Sequence, residues 1–183
     1  MKKHYYTNYY PSPVGILKIV FSVSAVHRIS FCQQKVNGID CKCFYQSKEI
    51  RDTYNLIYDQ LNEYFTGQRQ TFHLPFELEG SDFQQDVWSY LRKIPYGEVR
   101  TYSEVARGIG SKNAVRAVGN ACRNNPLLIM IPCHRVIKSN GDTGSYVGKV
   151  YRKRWLLGHE QKYSSSDFSS SRFSKSNFQQ RSN

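Results

Sequence analysis

The spacing of apolar residues changes along the chain, and each change marks an element. Ile16 to Phe21 and Val26 to Phe31 are rich in β-branched and aromatic residues and are separated by small polar ones. They follow a Tyr/Thr alternation and a turn at Ser12-Pro13-Val14-Gly15. This composition predicts a strand-turn-strand sheet. From Ile50 to Phe65 the spacing becomes helical through Ile50, Tyr54, Ile57, Tyr58, Leu61, Tyr64 and Phe65, with Gly67 as a stop. Residues 1–72 therefore read as an α/β domain. Around Thr71 to Gly80, Pro75 interrupts a stretch without sustained period, which places a linker at 73–80.

A second region, 81–162, opens with Ser81-Asp82-Phe83-Gln84, the pattern of a capping box, ahead of Phe83, Val87, Trp88 and Leu91 on one helical face. Ile94-Pro95-Tyr96-Gly97 ends that helix. Thr101-Tyr102-Ser103-Glu104 repeats the capping pattern and starts a short helix that stops at Gly110, where Ser111 can cap the next one. From Asn113 to Arg123, Ala114, Val115, Val118, Ala121 and Cys122 share a face, while Arg116, Asn120 and Arg123 fall at i, i+4 and i+7 on another. Two short helices joined by a glycine turn, the second with a basic stripe, have the form of a helix-turn-helix. An ordinary helical hairpin with a solvated face fits the pattern equally well. Gly119 sits inside the second helix at a cost of ~1 kcal/mol relative to Ala, so close approach by another backbone, by DNA or by a packed helix should gain from it. Leu127 to Ile131 is a continuous apolar run, read as a buried strand, and it leads into Pro132-Cys133-His134-Arg135-Val136.

Charge sharpens the division. The 183 residues carry a net +12, but residues 1–82 hold nine Lys/Arg against eight Asp/Glu, whereas 83–162 hold fourteen against five. A field of that sign draws polyanions, so nucleic acid is the first partner to consider, ahead of an anionic membrane or an acidic protein. Residues 163–183 contain nine serines and the isolated Phe168, Phe173 and Phe178, and read as a disordered tail. No apolar run approaches the ~20 residues that cross a bilayer, and Met1 to Tyr6 lack the apolar core of a signal peptide. A soluble intracellular protein without membrane association is expected, cytoplasmic or, in a eukaryote, nuclear.

Five cysteines without an export signal are expected to be reduced. Cys41-Lys42-Cys43 has one intervening residue rather than the two to four of common zinc knuckles, and Cys32, Cys41 and Cys43 read as structural or incidental. Cys122, on the apolar helix face, reads as core. Cys133 differs because His134 and Arg135 follow it. A thiol of pKa ~8.5 is only slightly ionised at neutral pH and needs a base or positive charge nearby to attack. Adjacency is not contact, since successive side chains on a strand point oppositely, so His134 would reach Cys133 only through a turn or a water.

Taken together, Arg116-Ala117-Val118-Gly119, Asn124-Asn125-Pro126, Ile131-Pro132-Cys133-His134-Arg135-Val136, Gly144-Ser145-Tyr146 and Trp155-Leu156-Leu157-Gly158-His159-Glu160 resemble the O6-alkylguanine-DNA alkyltransferases. The similarity runs from about Phe83 to Glu160, and weakly through Ser12 to Gly15. Each piece alone is weak; their order and spacing together are specific.

The resemblance implies an N-terminal ribonuclease H-like α/β domain and a C-terminal winged-helix-type domain that carries the site. It makes Cys133 the alkyl acceptor, His134 its base through a water, Glu160 the carboxylate behind that base, Tyr102 the proton donor to the guanine oxygen, and Asn125 the residue that orders the cysteine turn. It makes Arg116 the finger that fills the place of a flipped nucleotide. Ala114, Ala117, Gly119, Arg123 and Arg135 would face DNA, and Tyr146, Val147 and Gly148 would line the pocket. The implied partner is double-stranded DNA carrying alkylated guanine, with O4-alkylthymine as a second substrate and the protein a monomer whose cooperativity on DNA is open. Transfer would be stoichiometric and irreversible, with no cofactor and no metal.

Val147 and Lys149 follow the pocket tyrosine where many relatives have small residues, so adduct size is open. Ser22 stands where zinc-binding relatives need a cysteine to accompany His27, so zinc is not expected. Two competing readings are a non-enzymatic winged-helix DNA-damage binder and a cysteine hydrolase. The first would not require Tyr102, Asn125, Cys133, His134 and Glu160 together, and the second lacks a deacylating arrangement.

Overall fold

The computed structural model describes residues 4–32 and 47–164. Cys41-Lys42-Cys43 and the tail from residue 165, including Phe168, Phe173 and Phe178, lie outside the described residues.

Strands β1 (Tyr6–Ser12), β2 (Gly15–Phe21) and β3 (Val26–Phe31) form an antiparallel sheet in that order. Ser12 pairs with Gly15 across a tight turn, and Gly15 adopts φ +112°, a conformation open to glycine alone without strain. On β2, Leu17, Ile19 and Phe21 alternate into the core. Helix α1 (Lys48–Phe65) buries Ile50, Tyr54, Ile57, Leu61 and Tyr64, the face its period predicts. It is fastened to the sheet by aromatic contacts, Phe21 on Tyr54 and Tyr10 on Tyr58 and Phe65.

Both capping boxes form. Ser81 and Gln84 open helix α2 (Asp82–Arg92), and Thr101 and Glu104 open α3 (Tyr102–Gly108), each pair satisfying two otherwise orphaned backbone N–H groups. Helix α4 (Val115–Arg123) starts later than its period suggested. Its cap is Ala114, without a side-chain bond, and Ser111 contributes only its backbone carbonyl, which accepts from Ala114 N at 2.8 Å. Trp88 ties α2 to α4 by donating from Nε1 to the Ala121 carbonyl at 2.9 Å. Two-residue strands β4 (Arg100–Thr101) and β5 (Val136–Ile137) pair in parallel. Helix α5 (Val150–Tyr163) completes the described chain. Among the described residues no helix is long and apolar enough to cross a membrane.

The run Leu127 to Ile131 is buried as expected but is not a strand. Its backbone makes isolated bridges, Leu127 to Ile29 and Leu128 to Ile131, and Ile129 is twisted into the left-handed region at φ 77°. It hangs on β3 instead: Ile29 N donates to Pro126 O at 2.8 Å and Leu128 N to Ile29 O at 3.0 Å. Apolar periodicity reports burial, and a short buried run has no way to distinguish a strand from a hooked loop.

Candidate active site

Asn125 shapes the turn that presents Cys133. Its Oδ1 accepts from Leu127 N at 2.9 Å, and its Nδ2 donates to the Ile131 carbonyl at 2.7 Å and to Cys133 Sγ at 3.1 Å. One amide thus bridges both ends of the hooked run and touches the sulfur. The residues from Cys133 to Arg135 form a single 3₁₀ turn, so their side chains fan out in three directions instead of alternating as on a strand. Cys133 is 3% exposed.

Behind the turn sits Glu160, fully buried on α5. Its Oε1 accepts from His134 Nε2 at 2.7 Å, Tyr64 OH at 2.8 Å and Arg135 Nη2 at 3.0 Å. Its Oε2 accepts from Arg135 Nε at 2.8 Å and from Gly97 N at 3.2 Å. Burial pushes this carboxyl up, but His134 and Arg135 outweigh it and hold the group well below the carboxylate range. Burial lowers the His134 pKa against the pull of Glu160, so the imidazole is neutral at pH 7. With its Nε2–H donated to an ionised carboxylate, the ring keeps Nδ1 as its basic nitrogen, and Nδ1 is buried without a hydrogen-bond partner among the described residues.

The β4–β5 pairing brings the start of α3 beside this turn, and Tyr102 there lines one pocket with Gly119, Cys122, Arg123, Cys133, Ser145, Tyr146 and Val147. Gly144, at φ 68°, carries the pocket loop over Tyr102; a β-carbon on it would lie 3.6 Å from the hydroxyl. Burial, then Cys122 and Cys133, push the Tyr102 phenol up to about 12, so it stays protonated and able to donate. Burial also raises the Cys133 thiol, while the Asn125 hydrogen bond and the Lys153 cation pull it back. Lys153 was not singled out from sequence. It is fully buried, donates to the Val136 carbonyl at 2.5 Å and is lowered by burial to about 8, which leaves it mostly charged at neutral pH. Its signal was the helical period: Leu156 and Glu160, three and seven residues on, are buried on the same face.

The arrangement combines a shielded thiol, a neutral imidazole oriented by a carboxylate, and a phenol donor at one cavity. Residues 5–78 match the ribonuclease-like domain of 6-O-methylguanine DNA methyltransferase and residues 82–162 match its DNA binding domain. Over 160 residues the chain is 42% identical to the constitutive methylated-DNA--protein-cysteine methyltransferase of Bacillus subtilis (strain 168), covering 84% of this chain and 96% of that protein. The chain belongs to the 6-O-methylguanine DNA methyltransferase family. A probable methylated-DNA--protein-cysteine methyltransferase of Acanthamoeba polyphaga mimivirus is 40% identical over 150 residues, 81% of this chain and 92% of that one. The crystal structure of the Mycobacterium tuberculosis O6-methylguanine methyltransferase superposes with a TM-score of 0.75 at 35% identity, covering 90% of this chain and 97% of that one. A crystal structure of the M. tuberculosis OGT in complex with DNA gives a TM-score of 0.74 at 36% identity, covering 87% and 94%.

In this member of the 6-O-methylguanine DNA methyltransferase family, the residues expected at the DNA face divide. Arg116, Ala117 and Arg123 are exposed on α4, and Ala114 is half-buried at its start. A β-carbon on Gly119 would meet nothing closer than Tyr102 Cε1 at 3.9 Å, so protein packing does not explain this glycine, and the open space belongs to the pocket. Arg135 corrects the expectation that it faces DNA. It is 6% exposed, its guanidinium is bound by Glu160, and its Nη1 donates to the Ile94 carbonyl at 2.6 Å. A buried charge is retained only when paired, and this pairing takes Arg135 away from any phosphate. Tyr146 and Val147 line the pocket; Gly148 does not, and is packed against Phe31 instead. Ser22 accepts or donates at 3.0 Å to His27 Nε2, so a hydroxyl occupies that side of the imidazole.

Proposed function

We propose that this protein repairs DNA by taking the alkyl group of O6-alkylguanine in a duplex onto Cys133, once per molecule. O4-alkylthymine offers the same displaceable ether and is a second substrate. The observation that carries the reading is the line of groups through one turn: Glu160 behind His134, Cys133 held by Asn125, and Tyr102 across the pocket.

The reaction is an in-line displacement. The Cys133 proton passes through a bridging water to His134 Nδ1, and Glu160 stabilises the imidazolium that results. The sulfur attacks the alkyl carbon, the carbon–O6 bond breaks, and its electron pair remains on guanine. Tyr102 donates a proton to the guanine as that charge develops, and its buried phenolate is returned to the phenol by the proton that Cys133 released. Lys153 favours the thiolate electrostatically during the attack. No group beside Cys133 can hydrolyse the thioether, so the product is permanent and no cofactor takes part.

Alkylated guanine in a stacked duplex is out of reach of a buried sulfur, so the nucleotide is flipped at a cost of a few kcal/mol. Arg116, exposed on α4, fills the vacated position, and the small residues Ala114, Ala117 and Gly119 allow the helix to approach closely. Arg123 at the pocket rim meets phosphate. Residues 81–162 carry this machinery, residues 1–72 support it, and 73–80 join the two. The protein acts as a monomer wherever the cell keeps its DNA.

Intact mass after incubation with O6-methylguanine duplex tests the proposal. The expected result is one added methyl group on wild type and none on Cys133→Ser, with Cys133→Ala still binding DNA; an unmodified wild-type protein would sink it.

A further inference from the structure

The Ser12-Pro13-Val14-Gly15 turn has no part in the mechanism above, yet it is bonded to the segment that walls the pocket. Arg152, in the first turn of α5, donates from Nε to the Val14 carbonyl at 2.6 Å and from Nη1 to the Gly148 carbonyl at 3.1 Å. Its guanidinium lies over the ring of Phe31, the last residue of β3, 4.2 Å from the centroid. Phe31 in turn meets Tyr146 edge-on, with centroids 6.4 Å apart at 74°. Two glycines admit this stack. A β-carbon on Gly15 would lie 2.8 Å from Arg152 Nη2, and one on Gly148 would lie 2.2 and 2.4 Å from Phe31 Cε2 and Cδ2 and 2.9 Å from Tyr146 Cε1.

The loop that receives these contacts is itself constrained. Tyr146 O accepts from Lys149 N at 3.0 Å, and Lys149 takes φ 74° where a glycine would be unstrained. Tyr146 and Val147 face the cavity that contains Cys133, and Gly148 turns away towards the sheet. The loop therefore has the reactive cavity on one side and the Phe31–Arg152 stack on the other. A larger alkyl group has to displace Tyr146 or Val147, and the stack opposes that displacement.

We propose that Phe31 and Arg152, anchored on the Val14 turn, brace the Tyr146–Lys149 loop against Cys133 and so set the largest alkyl group the pocket admits. Phe31 touches no reacting atom; it is a positioning residue, and through it the N-terminal sheet determines specificity in the C-terminal pocket. The inference rests on Cys133 being the alkyl acceptor.

Competition between O6-methylguanine and O6-benzylguanine oligonucleotides, scored by intact mass on the full chain, tests it. Phe31→Ala should raise the benzyl-to-methyl rate ratio about tenfold, the scale on which a pocket discriminates a few carbon atoms. Gly148→Ala should lower the ratio by driving the loop inward off the ring. With Phe31→Ala in place that drive is gone, since only the 2.9 Å contact with Tyr146 remains, so the double variant should keep nearly the raised ratio of Phe31→Ala; two independent structural losses would instead multiply to an intermediate ratio. Phe31→Leu, which keeps bulk and loses the ring, should fall between wild type and Phe31→Ala and serves if Phe31→Ala does not fold. Folded Phe31 variants that keep the wild-type ratio, or strictly additive effects in the double variant, would overturn this inference alone. A wild-type protein that takes no methyl group at all would overturn the acceptor assignment, and the brace with it.

Discussion

Two arginines nineteen residues apart show how differently one side chain is used on the two sides of Cys133. Arg135 lies behind the turn, buried, with its guanidinium on Glu160 and the Ile94 carbonyl. Arg116 stands in front of it on α4, exposed to solvent. The buried cluster satisfies its charges internally and fixes the base; the exposed face leaves its charge for a partner. Changes behind the turn should therefore alter folding and the protonation of the site, and changes in front should alter the handling of DNA while leaving the fold alone.

The largest expected effect is that of Glu160→Ala. It leaves Arg135 buried without its counter-charge, at a cost of about 3–5 kcal/mol measurable by chemical denaturation. The carboxyl is held below its ordinary 4.5, so the stability it supplies is complete above that pH and is lost as pH falls towards the folded value. Glu160→Gln should flatten that acid limb, and an unchanged limb would separate Glu160 from acid unfolding. Lys153→Met comes next. Removing the cation raises the Cys133 pKa and leaves less thiolate, so transfer at pH 7 should slow about tenfold and recover as pH rises. A uniform loss at all pH values would mean that Lys153 does not act through the thiol.

Arg116→Ala should slow repair of duplexes about tenfold, equivalent to ~1.4 kcal/mol of flipping energy no longer offset, and leave reaction with the free alkylguanine base unchanged. Its stability should stay within about 0.5 kcal/mol of wild type. Equal slowing on the free base would break the contrast between the two sides. Tyr64→Phe, which removes one donor to Glu160, should cost about 1.5 kcal/mol by denaturation, the scale of a hydrogen bond to a charged group.

Much of this was legible in the chain. The two capping boxes are local, since four consecutive residues satisfy each other, and both form where Ser81 and Thr101 predict them. The period of α1 identified its buried face for the same reason. Arg135 is the exception: the resemblance implies that it faces DNA, and nothing in the local spacing shows that the 3₁₀ turn fans its side chain inward onto Glu160. Tyr64 was read as an apolar position, and its ring is one, but its hydroxyl partner lies 96 residues away. Polar contacts at that separation leave no trace in the local spacing. The placement of Tyr102 beside Cys133 likewise depends on β4–β5 pairing, two residues on each side, too short to carry a pattern.

Ile129, with φ 77°, bears on how the molecule can be cut. A branched side chain held in that backbone region costs about 1–3 kcal/mol, and β3 shares in holding it through the N–H and C=O of Ile29, alongside the Ile131 N to Leu127 O bond and the Asn125 bridge within the hook. Excise the first seventy-odd residues and that coil loses its outer restraint, leaving the inner bonds to hold the sulfur alone. Any shortened reagent made from the second half alone would need a substitute for one borrowed strand edge before its chemistry could be judged.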